Sequence, residues 1–385
     1  MYVISATNLL NNMVYVRAHS MVSSLGCDVG TACASARAGL SRAREIGSVK
    51  LASTITGEAE PVIGHSVPLL TQGFEGDARL QRLLSGGLNS LKAHISDEVS
   101  RDHDSVGFYL SLPTPERLSQ GQELIPDEDS RDQTHTVGLN GREYGDTTFA
   151  HALLVQAAQH SGWSGKIDLR FVALSGHTGG AECILAAERD LDNGTIALAI
   201  VGAADSLLDE ATLVWLQTTN RLKYSDLPIG LVPGEACVFV ALSTDAQNSQ
   251  AEIGAIGLCA ESKTLLSGET SVGEGLAEAL NIALVGTKWQ QDTHTWIISD
   301  QNGEVYRANE WGHALARARG AWPALEKPIV WLPAISYGDT GAASALIAVC
   351  TALQAFARNY APSPGAVITS SSEGALRSVF SVLSI

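Results

Sequence analysis

What this chain has little of narrows it first. It contains six cysteines, at 27, 33, 183, 237, 259 and 350, with no Cys-x-x-Cys pair and no histidine at ligand spacing. Neither a disulfide framework nor a zinc site is indicated, and most of these cysteines read as small buried hydrophobes. Basic charge is scarce: 25 Lys and Arg stand against 41 Asp and Glu, a formal charge of -16. A field of that sign opposes nucleic acid and also repels an acidic carrier protein. No stretch stays apolar and uncharged for the roughly 18 residues that a membrane span needs. Residues 1–30 show no basic start followed by a clean apolar run. The expectation is a cytoplasmic protein without cofactor or metal, touching neither nucleic acid nor membrane.

What is present is apolar surface in quantity. With 385 residues, 45% of them hydrophobic, the chain can bury one large core or two medium ones. Apolar runs of strand length (YVISA, VGFYLSL, LRFVAL, IALAIVGA, ACVFVAL, THTWIIS, PIVWLPAI, GAVITS, SVFSVLS) alternate with Ala/Leu-rich helical patterns such as LQRLLSGGLNSLKAHI and FAHALLVQAAQHSGW. This alternation predicts an α/β protein with buried, largely parallel sheets. Residues 113–147, polar and rich in Asp, Glu, Gly and Pro, read as a long surface loop, either merely solvated or a contact surface.

An internal repeat carries more information than the composition. FVALSGHTGGAECILAA, from 171, matches WLPAISYGDTGAASALIAV, from 331: each is a strand, a tight G-X-T-G turn and an Ala-rich helix. Each is followed by a closing segment, PGEACVFVALS and SEGALRSVFSVLS. The chain therefore divides into two related halves, 1–245 and 246–385, joined within TDAQNSQ at 244–250. A pseudo-twofold axis between them would bring His177 and Asp339 face to face, each at a helix N-terminus.

These halves resemble the thiolase fold and, more narrowly, the β-ketoacyl synthase family, over nearly the whole chain. The resemblance implies two pseudo-symmetric halves in αβαβα layers. AHSMVSSLGCDVGTACASARAGLSRA is similar to the opening of ketosynthases, which places TACAS in the first helix, with Asp28 as its N-cap and Cys33 in the core rather than at the chemistry. The family's nucleophile turn aligns with SGHTGG, so the reactive-cysteine position falls on His177; Cys183 lies six residues further on, inside the helix. The loop IISDQNGEVYRANEW offers Asp300, Gln301 and Asn302 where the first catalytic histidine is expected, with Gln301 as the replacement. SYGDTGAAS puts Asp339 at the second catalytic position and resembles a Gly-Asn-Thr-Ser-Ala-Ala-Ser string of the type III enzymes. The family lysine aligns with Ala334, and the C-terminal glycine-rich loop keeps only Gly374.

Claisen condensation needs a thiolate and two donors for developing oxyanions. An imidazole is a poor acyl carrier, and a carboxylate repels an enolate. Three alternatives remain open for the vestigial set His177, Asp339, Gln301, Ser175 and Thr178. It is a satisfied buried contact; or a His-Asp general-base dyad activating water, Ser175 or Thr178 toward a thioester or ester; or the end of an acyl or CoA-type ligand tunnel. Glu182, Glu235 and Glu304 read as helix-surface or turn residues.

The leading expectation is a catalytically degenerate scaffold, adaptor or chaperone. By resemblance, Phe171, Val172, Ala173, Leu174, Ser175 and Gly176 would form the contact of a homodimer, with pairing to an active sister chain as the alternative. The strings SGHTGGAE and NGEVYRANEW look like bacterial thiolase-like proteins that accompany type VI secretion components, which implies a secretion effector or spike-tip protein as partner.

Overall fold

The structure, a computed structural model, describes residues 13–55, 57–95, 105–115, 117, 147–285 and 295–385. YVISA at 2–6 and most of the polar stretch at 113–147 lie outside them.

The first half supplies β1 (Val14–Ser23), then β2 (Arg44–Ala52) and β3 (Ala59–Gly64), which pair with each other, then β4 (Val106–Ser111), β5 (Leu169–Ala173), β6 (Leu198–Ser206) and β7 (Glu235–Ser243). The second supplies β8 (Ala251–Ala260), β9 (Trp296–Ser299), β10 (Ile329–Trp331), β11 (Gly365–Ser371) and β12 (Leu376–Ser384). Ten of these strands join in the order β10-β9-β11-β12-β8-β1-β7-β6-β4-β5. Outward from the centre, β1-β7-β6-β4-β5 and β8-β12-β11-β9-β10 are the same series of equivalent strands. They meet where β1 pairs antiparallel with β8, Val14 opposite Ile253.

The expected largely parallel sheet is corrected to a mixed one. Pairing is parallel only among β4, β5 and β6 and among β9, β10 and β11, while the six strands from β6 to β1 and from β8 to β11 pair antiparallel. Helical crossovers return the chain in the same direction, whereas β11 and β12 are joined by a tight turn that reverses it. β8 escapes the sequence pattern because Gly254 and Gly257 dilute its apolar run. At Gly257 a Cβ would lie 2.3 Å from the carbonyl oxygen of Ala279, so a helix rides directly on the strand there.

The ten helices of the described residues cover the sheets in layers. They are α1 (Val29–Arg37), α2 (Pro68–Thr71), α3 (Gly76–Lys92), α4 (Thr147–Ser161), α5 (Gly179–Asp192), α6 (Glu210–Thr218), α7 (Glu274–Leu284), α8 (Val305–Ala318), α9 (Ala334–Tyr337) and α10 (Ser344–Ala357). α3 and α4 pack on the outer face of the first half, α7 and α8 on the outer face of the second, and α5 and α10 lie between the two with α1. The period of two shows along β7: Ala236, Val238, Val240 and Leu242 face the central layer, Cys237, Phe239 and Ala241 the outer one. α10, sandwiched on both sides, is apolar almost all round, as a helix with no solvent face must be. α1 starts where Asp28, in extended conformation, accepts from the Thr31 N–H at 2.8 Å, and it buries Cys33. No helix of the described residues is long and apolar enough to cross a membrane.

Candidate functional site

Both G-X-T-G turns open on a glycine with positive φ, +65° at Gly176 and +73° at Gly338, a conformation that costs any other residue. After β5 the first turn runs through a single 3-10 turn, Gly176–Thr178, straight into α5. The second leaves α9 at Gly338 and enters α10 through the 3-10 turn Gly341–Ala343. The Asp339 N–H donates to the Val232 carbonyl at 2.7 Å, and the Asp339 carbonyl accepts from the Gly234 N–H at 2.8 Å. Across 162 residues of sequence, His177 Nε2 lies 2.8 Å from Asp339 Oδ1; the two residues are 3% and 2% exposed.

Asp339 is heavily served. Its Oδ2 accepts from Asn302 Nδ2 at 2.5 Å and its Oδ1 from the Gly341 N–H at 2.9 Å. Burial alone would raise this carboxyl, but the charges of His177 and Arg307 and the hydrogen bonds from His177 and Asn302 outweigh it and hold it well below the usual carboxylate range. It is ionised, and therefore only an acceptor.

The other side of the imidazole meets Arg307, from the first turn of α8. Its Nη2 stands 3.2 Å from His177 Nδ1 and 3.3 Å from Nε2. Asp339 being an acceptor, the hydrogen of the Nε2 contact sits on the ring, while Arg307 Nη2 lies almost equally far from both ring nitrogens and points at neither alone. Arg307 Nη1 is anchored in turn to Asp300 Oδ2 and the Ser371 carbonyl, each at 2.7 Å.

Around this triad the interior is built of paired charges. Glu304 accepts from Asn302 at 2.8 Å and pairs with Arg221 at 2.6 Å, and Arg221 also reaches Glu373 at 2.9 Å. Arg117 pairs with Asp205 at 2.6 Å, and Asp205 accepts from the Ala342 N–H at 2.8 Å. Breaking one partner out of such a buried pair costs about 3–5 kcal/mol, because the other is left charged and dry.

Ser175 and Thr178 stand beside the triad, but their hydroxyls point elsewhere. Both donate to Glu182, whose carboxyl is pushed up by burial and partly brought back by these two bonds. Thr178 Oγ1 also lies 2.8 Å from Ser372 Oγ, which donates to the Ser175 carbonyl. A cavity of about 220 Å³ opens here, lined by Ser175, Ser372, Glu373 and Arg117 rather than by His177 or Asp339.

Of the three polar residues in the 300–302 loop, Asn302 touches Asp339 and Asp300 holds Arg307, while Gln301 Nε2 meets Ser299 Oγ, at 3.4 Å. Cys183 is fully buried in α5 and burial raises its thiol well above the usual range. Ala334 begins α9, and Gly374 sits in the β11–β12 turn. Two glutamates expected on helix surfaces or turns are buried instead. Glu235 is 0% exposed and accepts from Arg79, Thr71 and the Val67 N–H, each at 2.6 Å; Glu304 is 6% exposed in the network above. Each is surrounded by donors that repay its desolvation.

Arg307 is the site residue that the sequence reading missed. A signal was available: 307, 310, 314 and 318 fall at helical spacing on the buried face of α8, so Arg307 and Glu310 occupy a stripe completed by two alanines. Glu310 pairs there with Arg377 at 2.9 Å.

No family profile and no curated protein matches this chain. Solved structures do. The fold is similar to AntDE:AntF, a type II PKS acyl-carrier protein in complex with its ketosynthase bound to the hexaketide, over 97% of this chain and 99% of that one, with TM-score 0.72 and 13% identity. It is similar over 100% of both chains to the ketosynthase ApeO in complex with its chain length factor ApeC from Xenorhabdus doucetiae, with TM-score 0.69 and 15% identity. A β-ketoacyl synthase from Burkholderia phymatum STM815 matches 97% of this chain and 100% of that one, with TM-score 0.67 and 13% identity. The chain has the thiolase-like ketosynthase fold; identities this low speak to the fold alone.

Proposed function

We propose that this chain is a non-catalytic ketosynthase-fold subunit, a scaffold or adaptor that works by association with another chain. One observation carries the reading: the position that resembles the nucleophile turn holds His177, its Nε2 held 2.8 Å from the buried Asp339 and its ring against the buried Arg307, whose Nη2 stands 3.2 and 3.3 Å from the two ring nitrogens. Acyl transfer there would require breaking this buried set first.

Association is supported by the position of β5, which among the described residues has β4 as its one neighbour in the sheet, with Phe171 and Val172 half-buried. Similar structures include complexes of a ketosynthase with a chain length factor and with an acyl-carrier protein. The β5 edge and 171–176 form the contact, in a homodimer or with an active sister chain. The two halves, 1–245 and 246–385, are the structural units of each subunit. A type VI secretion effector or spike-tip protein is the finer partner assignment, and pull-down from the native cell followed by mass spectrometry tests it: recovery of ketosynthase or carrier-protein chains instead rejects the secretion role.

The test of the main reading is turnover of decanoyl and acetyl thioesters by the wild type and by His177→Ala. The expected result is no hydrolysis above buffer for either, and no acyl adduct by intact mass. Thioester hydrolysis that disappears in His177→Ala overturns the reading in favour of the second one, a hydrolytic His177–Asp339 dyad, whose support is the 2.8 Å contact itself. For association, sedimentation of the wild type should give a dimer that Val172→Asp dissociates.

A further inference from the structure

A larger cavity, of about 600 Å³, lies apart from the His177 cluster, between α1, β10, α9 and α10. That volume is in the range of small-molecule sites, roughly 300–1,000 Å³. Its floor is Cys33 and Tyr337, 4% and 2% exposed, with the tyrosine hydroxyl donating to the Cys33 sulfur at 3.9 Å. Trp331 and Tyr360 form a wall, stacked with ring centroids 6.1 Å apart and planes 19° apart. Thr351 completes the lining with a hydroxyl already committed to the Ile347 carbonyl.

The mouth is cationic. Arg37, exposed in the last turn of α1, places its guanidinium 3.7 Å from the centroid of the Tyr360 ring. Among the described residues no ion pair engages it, in contrast to Arg79, Arg117, Arg221, Arg307 and Arg377, each of which holds a carboxylate. The charge of Arg358 also acts on Tyr360. A guanidinium held against an aromatic ring, hydrogen-bonded to that tyrosine and outside any of the ion pairs above, is pre-ordered for a planar carboxylate, since its remaining N–H donors form a fork of matching geometry. On a chain of formal charge -16, this is a local reversal of sign beside an apolar, ring-lined hollow.

We propose that this cavity binds a small organic acid: its carboxylate pairs with Arg37, and its apolar ring body seats against Trp331, Tyr337 and Tyr360 above the Cys33 thiol. The thiol takes no covalent part, because burial pushes it up to about 12 and keeps it protonated at neutral pH.

The test uses the full chain and 2-naphthoate as probe, followed by calorimetry and by quenching of tryptophan fluorescence. The expected result is saturable binding of one probe per chain, weakened at least tenfold by Arg37→Gln, an exposed position whose replacement leaves the thermal midpoint in place. The neutral 2-naphthalenemethanol should bind wild type and variant alike, at the weakened level, and acetate should not bind measurably. No saturable binding of 2-naphthoate, or equal affinity in wild type and Arg37→Gln, overturns the proposal. Equal affinity for decanoate and 2-naphthoate removes the ring from it.

Discussion

The turns at 176–179 and 338–341 carry the same G-X-T-G string and open on glycine in the same left-handed half of φ, yet they hold their second residues by different means. His177 lies inside its 3-10 turn, and its ring is positioned by residues 130 and 162 places away in sequence. Asp339 stands two residues ahead of its 3-10 turn and caps it, its Oδ1 accepting from the Gly341 N–H at 2.9 Å. The space around the opening glycines differs too. Among the described residues, a Cβ on Gly176 would meet Thr114 Cγ2 at 3.2 Å, whereas on Gly338 it would lie 2.9 Å from His65 Cδ2 and the Val232 carbonyl and 3.0 Å from the Pro233 carbonyl. The string specifies the path of the chain; what its second residue does is set by what packs against it.

Asp339→Ala should break this contrast most severely, because His177, Asn302 and the Gly341 N–H all lose their acceptor. The expected loss is about 3–5 kcal/mol in chemical denaturation. The native carboxyl is depressed below its usual 3.8, so its contribution is complete above that pH and drains away as pH falls below it. Wild-type stability should therefore drop more steeply below pH 3.8 than that of Asp339→Ala.

Gly338→Ala comes next, at about 2–4 kcal/mol, from positive φ together with overpacking against carbonyl oxygens. His177→Ala leaves Asp339 with Asn302 and the Gly341 N–H, and should cost about 1.5–3 kcal/mol, the loss of one charge-assisted bond. Gly176→Ala carries the φ penalty with a single methyl contact, about 1–2 kcal/mol. If the two glycine variants prove equally damaging, the second turn is not the more tightly built.

A buried carboxyl without such service sharpens the point. Glu188 in α5 is 5% exposed, and burial raises it from 4.5 to about 8. It is protonated in the fold and ionised in the unfolded chain between those values, so stability should fall as pH rises through that window. Glu188→Gln should flatten this slope in denaturation profiles from pH 5 to 8.

Much of the fold was legible. Eight of the apolar runs named above became β4, β5, β6, β7, β9, β10, β11 and β12, and the G-X-T-G repeat anticipated two equivalent series of strands. β8 was not, because glycines that admit a close helix also erase the apolar pattern. At the site, the repeat led directly to His177 and Asp339, but three consecutive polar residues at 300–302 gave no means of choosing which one faces the carboxylate. Arg307 went unweighed because a charged residue on a helix is ordinarily solvated.

Periodicity is local, so the amino-acid order alone settled where strands and helices run, where the chain turns and which two turns correspond. The pairing of charges is decided between residues far apart in sequence. Only the tertiary fold put Arg307 of α8 beside the imidazole, Asn302 on Asp339, Glu304 beside Arg221 and Glu235 among donors from α2, α3 and the Val67 backbone, since a hydrogen bond depends on positions of a few tenths of an ångström that no residue pattern encodes.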